Sequence, residues 1–438
     1  MKKLKSLLFI APFIFISDKG TKPLPRPQRQ FKEANEFSCE VPLKWLAMQL
    51  EIIKSPPSKI FLDPSVLAYC GVSLYEAVVN GMPAYQTLTG QLADMPEMPK
   101  TLPGASYHWA TCANAALAFI TRSFLVNATN ANKISIDSLE KALNETFMKD
   151  VDGATLHRSV EYGKEVARLI FEWSKTDGSL AVNPPYVPPK GEGLWAPTPP
   201  DFSNAAVPYK GKNRLMVTGS EDGTDQPKPP AYSTEPSSDY YKMVKEVYDI
   251  SQHLTAADSA TAMYYRDNPG YPAGGHYFST LSQVFSQAKP TLDMAALAYA
   301  RAGIALNDAI IICYKAKYKY NVERPIRYIR EVLGHPTWLA LFNTPAHPEF
   351  PAGHAFTSAA VMEMLTSVFG DHFHFIDHTY DFLGMAPREF NSLNDLATDA
   401  AISRIYAGVH YRWSIEKGNK WGKAVAENIL AKVMFLRE

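Results

Sequence analysis

Three short motifs between Lys317 and His410 carry residue types that suit an oxyanion. The first is Lys317, six residues, then Arg324-Pro325. The second is Pro351-Ala352-Gly353-His354, and the third is Ser403-Arg404, five residues, then His410. Spacers of 25 and 48 residues separate them. Lysine offers a compact charge, and arginine a planar fork that matches two oxygens of one anion. Three permanent cations, a glycine-containing turn and two histidines fit a tetrahedral or trigonal-bipyramidal anion such as phosphate or vanadate. Read singly, each motif has a plainer explanation: solvated cations on a lysine-rich surface, an ordinary Pro-x-Gly turn, a histidine capping a helix end. Their order and spacing together make the anion cage the stronger reading.

The elements that must position these residues are helical. Pro351 to His354 precedes a helical run starting at Ala355, so the outward-pointing amides of a helix N-terminus add partial positive charge. Gly353 lets backbone approach closely, and His354 stands where an imidazole exchanges a proton near neutral pH. Arg404 lies in an apolar helical run, 400–409, with His410 at its end; a cation there requires an anion or a carboxylate. Lys317 and Arg324 are two helical turns apart, but Pro325 ends a helix near Glu323 and leaves Arg324 on the turn.

Apolar residues at helical spacing also mark 42–54, 65–80, 106–127, 137–150 and 153–175. After residue 238 come a helix start at Thr255-x-x-Asp258, then 293–315, 355–369, 392–409 and 415–436, with a Gly/Pro loop at 267–278. Twelve prolines between Asn183 and Pro236 exclude helix there. Leu194, Trp195, Phe202, Leu215, Met216 and Val217 make this segment too apolar for a solvated tether, so an ordered excursion is expected. The expected fold is all-α: two four-helix-bundle-like halves enclosing one oxyanion site. The N-terminal helical region is 37–182, the Pro-rich loop 183–236, and the C-terminal helical region carrying the site 237–438.

Composition narrows the function classes. Hydrophobic residues make up 46%, and 44 basic residues balance 44 acidic ones. Zero net charge argues against general nucleic-acid binding, which needs a cationic surface. The one long apolar run expected is at the start, where Met1-Lys2-Lys3-Leu4-Lys5 precedes SLLFIAPFIFIS. That pattern fits a secretory signal over 1–17 and is short for a bilayer span; a buried N-terminal segment is the alternative. Residues 18–36 read as a polar tether, the mature chain as exported without a membrane span, and its long helices as compatible with a homodimer. Cys39, Cys70, Cys112 and Cys313 form no metal spacing, and the last three read as small core residues. Asp371, His372, His374, Asp377 and His378 have metal-ligand chemistry, but their spacing suits no helix face and reads as a polar loop.

Taken in order, the three motifs resemble those of the superfamily joining type 2 phosphatidic acid phosphatases, bacterial acid phosphatases and vanadium-dependent haloperoxidases. Its signature is Lys–Arg-Pro, Pro-Ser-Gly-His and Ser-Arg-x5-His-x3-Asp. Flanking stretches look like the bacterial haloperoxidase branch: NDAIIICYKAKYKYNVERPIRYIR, TPAHPEFPAGHAFTSAAVMEML and ATDAAISRIYAGVHYRWSIEKG, with GVSLYEAVVNGMPAYQTLTGQL and LWAPTPPDF earlier. The resemblance implies vanadate as cofactor, hydrogen peroxide and a halide as substrates, and a small organic acceptor. It implies that Lys317, Arg324 and Arg404 bind the equatorial oxygens, with the Gly353 amide contributing. His354 would be the acid/base beside the apical oxygen, His410 the imidazole on vanadium, and Lys317 would polarise bound peroxide. In the phosphatase branch the residue at His410 is the nucleophile instead. That reading stays open, as does an inactive oxyanion binder.

Two departures bear on activity. Ala352 replaces the signature serine, and Ser414 the signature aspartate that would orient His410; Glu416 is near enough in sequence to substitute. His347, seven residues before His354, occupies a position where bromide- and iodide-using relatives tend to hold histidine, pointing to those halides over chloride.

Overall fold

The computed structural model describes residues 32–54, 63–271 and 274–437. The expected signal, 1–17, lies outside the described residues, as does the tether up to residue 31.

The N-terminal half contains α1 (Glu40–Lys54), α2 (Ser65–Val78), α3 (Trp109–Phe124), α4 (Asn130–Phe147) and α5 (Gly153–Ser174). The C-terminal half contains α6 (Asp239–Ser251), α7 (Ala256–Tyr264), α8 (Gly275–Ala288), α9 (Leu292–Tyr320) and α10 (Pro325–Glu331). It continues with α11 (Gly353–Phe369), α12 (Leu393–Tyr406) and α13 (Arg412–Lys432). The strands among the described residues, β1 (Phe375–Asp377) and β2 (Arg388–Phe390), form one antiparallel pair with Phe375 opposite Phe390. The fold is all-α as expected. Local chemistry sets several helix starts: Thr129, Asp152, Ser238 and Ser392 accept first-turn amides, and Thr255 with Asp258 forms a reciprocal capping box.

Periodicity missed α8 and α10. The first four residues of α8, Gly275–Phe278, lie in the expected 267–278 loop, and α10 is only seven residues long. The third motif also differs from expectation. Its helix stops at Tyr406, and a turn through Gly408 (φ +77°) carries the chain to His410 before α13 starts.

α2 and α9 form the central seam between the halves, α2 being buried at every position. Their backbones approach closely because Gly71 faces Tyr299 and Gly303 faces Ala68. α9 then packs on α11, which packs on α12 and α13, while α2 packs on α3 and α5. Among the described residues α9 alone is long and apolar enough to cross a membrane, which corrects the expectation that no stretch after the N-terminal run approaches that length. Its apolar window is 89% buried inside the protein, as befits a core helix.

The Pro-rich excursion is ordered, and it clamps the turn after α9. Trp195 is fully buried, and its backbone N–H donates to Asn321 O at 2.6 Å. Glu323 N–H donates to Gly193 O at 2.9 Å, and Leu194 bridges Val322. Further on, Asp308 of α9 accepts from the Met216 and Val217 amides at 2.7 and 3.0 Å and from Ser220 Oγ at 2.8 Å. A buried carboxylate taking that many donors from the excursion explains why the segment is not a linker.

A methyl at Gly303 would lie 2.6 Å from Ala68 Cα and 2.8 Å from Leu67 O. Gly303→Ala is therefore expected to lower the unfolding free energy by about 1–3 kcal/mol in urea denaturation. Gly153→Ala, where nothing lies within 4 Å, is the control and should be near neutral.

Candidate functional site

α9 ends where Asn321 adopts the left-handed conformation (φ +49°) that asparagine tolerates. The chain turns, and Arg324 becomes the residue before α10, with Pro325 in its first turn. Arg324 thus leaves the helical axis of Lys317, yet both side chains point into the same interior. α11 starts at Gly353. It is held from behind by α13, where a side chain on Gly422 would run into Phe356 O. Phe350, packed against Trp413 and Trp421, anchors the segment leading to Gly353.

These elements converge on a cavity of about 200 Å³. Lys317, His347, Gly353, His354, Arg404 and His410 line it. Arg324 backs it, with Nη1 3.1 Å from His410 Nε2 and Nη2 3.1 Å from His347 Nδ1. The structure therefore brings all seven residues singled out in the sequence to one place. Ser403 of the third motif faces elsewhere; its hydroxyl donates to Ala400 O.

The cations are held mainly by backbone carbonyls. Lys317 Nζ donates to Pro348 O, Glu349 O and Pro351 O at 3.0, 2.9 and 2.5 Å. An ammonium has three N–H bonds, so Lys317 is saturated, and any anion contact would replace one of these carbonyls. Arg324 donates to His347 O and Val409 O at 2.9 and 2.8 Å. Arg404 donates to Tyr265 O at 2.7 Å and stacks over Phe342 at 5.2 Å. Its Nε is buried with no hydrogen-bond partner among the described residues, as is Nε of Arg266 on the cavity wall.

Burial lowers the pKa of Lys317. It pulls Arg324 and Arg404 down to about 10, opposed by Glu349 for the first and Asp267 for the second. Both arginines stay charged near neutral pH. His347 and His410 are driven well below the usual imidazole range by burial, then by the neighbouring cations, so both are neutral. His354 is lowered by burial and by Arg404, with Asp267 pulling it back up.

Two carboxylates escaped the sequence reading. Glu349 Oε1 lies 2.7 Å from His410 Nδ1 and accepts the Tyr411 amide at 3.1 Å. The carboxylate facing His410 is therefore Glu349. Glu416, expected as the substitute, is exposed on the surface. An acidic residue in the apolar stretch between His347 and Pro351 was the available signal, since a buried carboxylate needs a partner. Asp267 Oδ1 lies 3.2 Å from His354 Nε2. Both side chains are surrounded by protein yet open onto the cavity, and Asp267 itself has φ +66°. No spacing rule links a loop aspartate to a histidine 87 positions away.

The histidine-rich cluster resolves into separate pairs. Asp377 is buried 2.8 Å from His276 Nε2, His378 pairs with Asp381, and His374 with Glu389. The four cysteines are buried and unbridged.

An unpartnered, buried guanidinium N–H beside two neutral imidazoles is what an anion's oxygens would satisfy, so these residues fit a small oxyanion such as vanadate. Fold and cavity together define a helical-bundle protein whose buried cations and imidazoles surround one cavity. The profile of the VCPO second helical-bundle domain matches residues 297–438. The crystal structure of a bacterial vanadium-dependent iodoperoxidase is similar, with a TM-score of 0.81 and 28% identity over 92% of this chain and 98% of that one. Holo and apo structures of a bacterial vanadium-dependent chloroperoxidase share the fold, with TM-scores of 0.61 and 0.62 at 16% and 15% identity. Each covers 87% of this chain, and 96% and 97% of its own. No curated protein sequence matches. The chain thus resembles the vanadium-dependent haloperoxidases, in fold over most of its length and by family profile over residues 297–438.

The Asp267 carboxylate favours the protonated form of His354. Asp267→Asn removes that charge, so the His354 titration midpoint should fall by about one unit. NMR of the His354 imidazole reads it, and an unchanged midpoint would contradict the pairing.

Proposed function

We propose that this protein is a vanadate-dependent haloperoxidase that uses hydrogen peroxide to oxidise iodide or bromide, in preference to chloride, for transfer to a small organic acceptor. The observation that carries the reading is the meeting on one cavity of His410, His354 and Arg404, whose buried Nε has no partner among the described residues. Vanadate would be held by His410 Nε2, Arg404, Arg324 and the Gly353 amide, with Lys317 adding charge from behind, and when bound it would supply a Lewis acid that activates peroxide for oxygen transfer.

The chain's own residues have distinct tasks. His354, neutral near pH 7, accepts a proton from incoming peroxide, and Asp267 stabilises the imidazolium that results. Arg404 offers donors to the anion, and Arg324 holds His410 and His347 in place while supplying charge. Lys317 fixes the 348–351 segment through its three carbonyl bonds, so its positive charge acts on the site from behind. Phe342 and Leu396 on the cavity wall limit water around the reacting atoms. The halide preference rests on His347, whose imidazole lines the cavity, and on the likeness to a bacterial iodoperoxidase. We also propose export, on the strength of residues 1–17.

The test is peroxide-dependent oxidation of iodide, bromide and chloride by vanadate-loaded protein beside His410→Ala. Oxidation of iodide and bromide, abolished in the variant, is the expected result; no oxidation despite bound vanadate would sink the reading. Ala352 lies at the N-cap of α11, where its methyl offers neither a cap nor an anion contact. Ala352→Ser is therefore expected to tighten vanadate binding by about 1–2 kcal/mol, measured by calorimetry.

A further inference from the structure

Glu349 touches both sides of the cage. Its carboxyl Oε1 lies 2.7 Å from His410 Nδ1 and accepts from the Tyr411 amide at 3.1 Å. Its carbonyl accepts from Lys317 Nζ at 2.9 Å, and its N–H donates to Val322 O at 2.8 Å. One residue therefore ties the 322–324 turn, the cage lysine and the buried histidine together.

Arg324 Nη1 lies 3.1 Å from His410 Nε2. A guanidinium can only donate, so Nε2 must accept and carries no proton. Nδ1 then holds the single proton of the neutral ring and donates it to Glu349. A ring set this way has its one free lone pair on Nε2 at the cavity, where it accepts from Arg324 Nη1 and where a bound vanadium would take that contact's place. The neighbouring Ser414 is fully buried. Burial pushes the Glu349 carboxyl up to about 7, opposed first by Lys317 and Arg324 and only slightly by Ser414, whose hydroxyl makes no hydrogen bond among the described residues. Ser414 thus leaves orientation of the ring to Glu349.

We propose that Glu349 is a positioning residue that fixes His410 as the Nδ1–H tautomer, so that Nε2 is presented to the anion. This rests on the vanadate reading of the site. Glu349 itself does not touch the anion; it acts through His410 in the way that an outer carboxylate orients a metal-bound imidazole.

The experiment measures two things on the full chain: the ¹⁵N shifts of the His410 imidazole, assigned against His410→Ala, and the dissociation constant for orthovanadate. Glu349→Gln keeps an acceptor for Nδ1–H but removes the charge, whereas Glu349→Leu removes both. In the parent protein, one pyrrole-like Nδ1 and one pyridine-like Nε2 are expected. Glu349→Gln should keep that pattern and bind vanadate about tenfold more weakly; Glu349→Leu should lose the single tautomer and bind about a hundredfold more weakly. Glu349→Ala with Ser414→Asp restores a carboxylate from the adjacent position and should recover part of the affinity and the Nδ1–H pattern. A folded Glu349→Leu protein with unchanged tautomer and affinity overturns the proposal. If Leu fails to fold, unchanged affinity in the near-isosteric Glu349→Gln does the same. If the parent protein binds no vanadate, the functional reading fails, while the tautomer comparison still decides the role of Glu349.

Discussion

Concentrating fixed positive charge in a dry interior is the constraint on which this structure turns. Lys317 and Arg324 are fully buried and Arg404 nearly so. Desolvating three cations is costly, and two nearby carboxylates, Glu349 and Asp267, do not neutralise them. The protein offsets the cost with backbone carbonyls, whose dipoles stabilise the charges without cancelling them. Lys317 takes three, Arg324 two and Arg404 one. The site therefore keeps a positive potential, which is what an anion requires.

Carbonyls are free to do this only where regular structure stops. Pro348, Glu349 and Pro351 lie in the irregular segment before α11, Val409 in the turn between α12 and α13, and Tyr265 just past the end of α7. Each of these ends must be held in register to within tenths of an ångström. That is the job of the packing around them. The excursion pins the 321–323 turn, and Phe350 wedges against Trp413 and Trp421. The glycine-mediated contacts of α2 with α9 and of α11 with α13 fix the helices themselves. The Pro-rich segment, which carries no cage residue, is thus part of what builds the cage.

Much of this was legible in the sequence. The three motifs identified Lys317, Arg324, Arg404, His354 and His410, because their chemistry is stated by residue type, whereas Arg266 on the cavity wall lies in no motif. Helical periodicity located the long elements, and the apolar residues of 183–236 revealed an ordered excursion. Short elements were missed: seven residues from Pro325 to Glu331 span barely two turns, too few for a period to show. The partners of the histidines were missed for a different reason. Ser414 and Glu416 are near His410 in sequence, but Glu349 reaches it from 61 positions away, and Asp267 reaches His354 from 87.

The sequence by itself determined an all-helical chain in which three cations, two imidazoles and a helix N-terminus gather at one cavity. Those properties are local, written in residue types and short spacings. Only the tertiary structure decided how the charges are balanced. It saturates Lys317 with carbonyls, leaves Arg404 with an unpartnered donor, and gives His410 and His354 their carboxylates. Hydrogen bonds between distant segments depend on where helix ends meet, and that is fixed by how whole helices pack rather than by any run of residues.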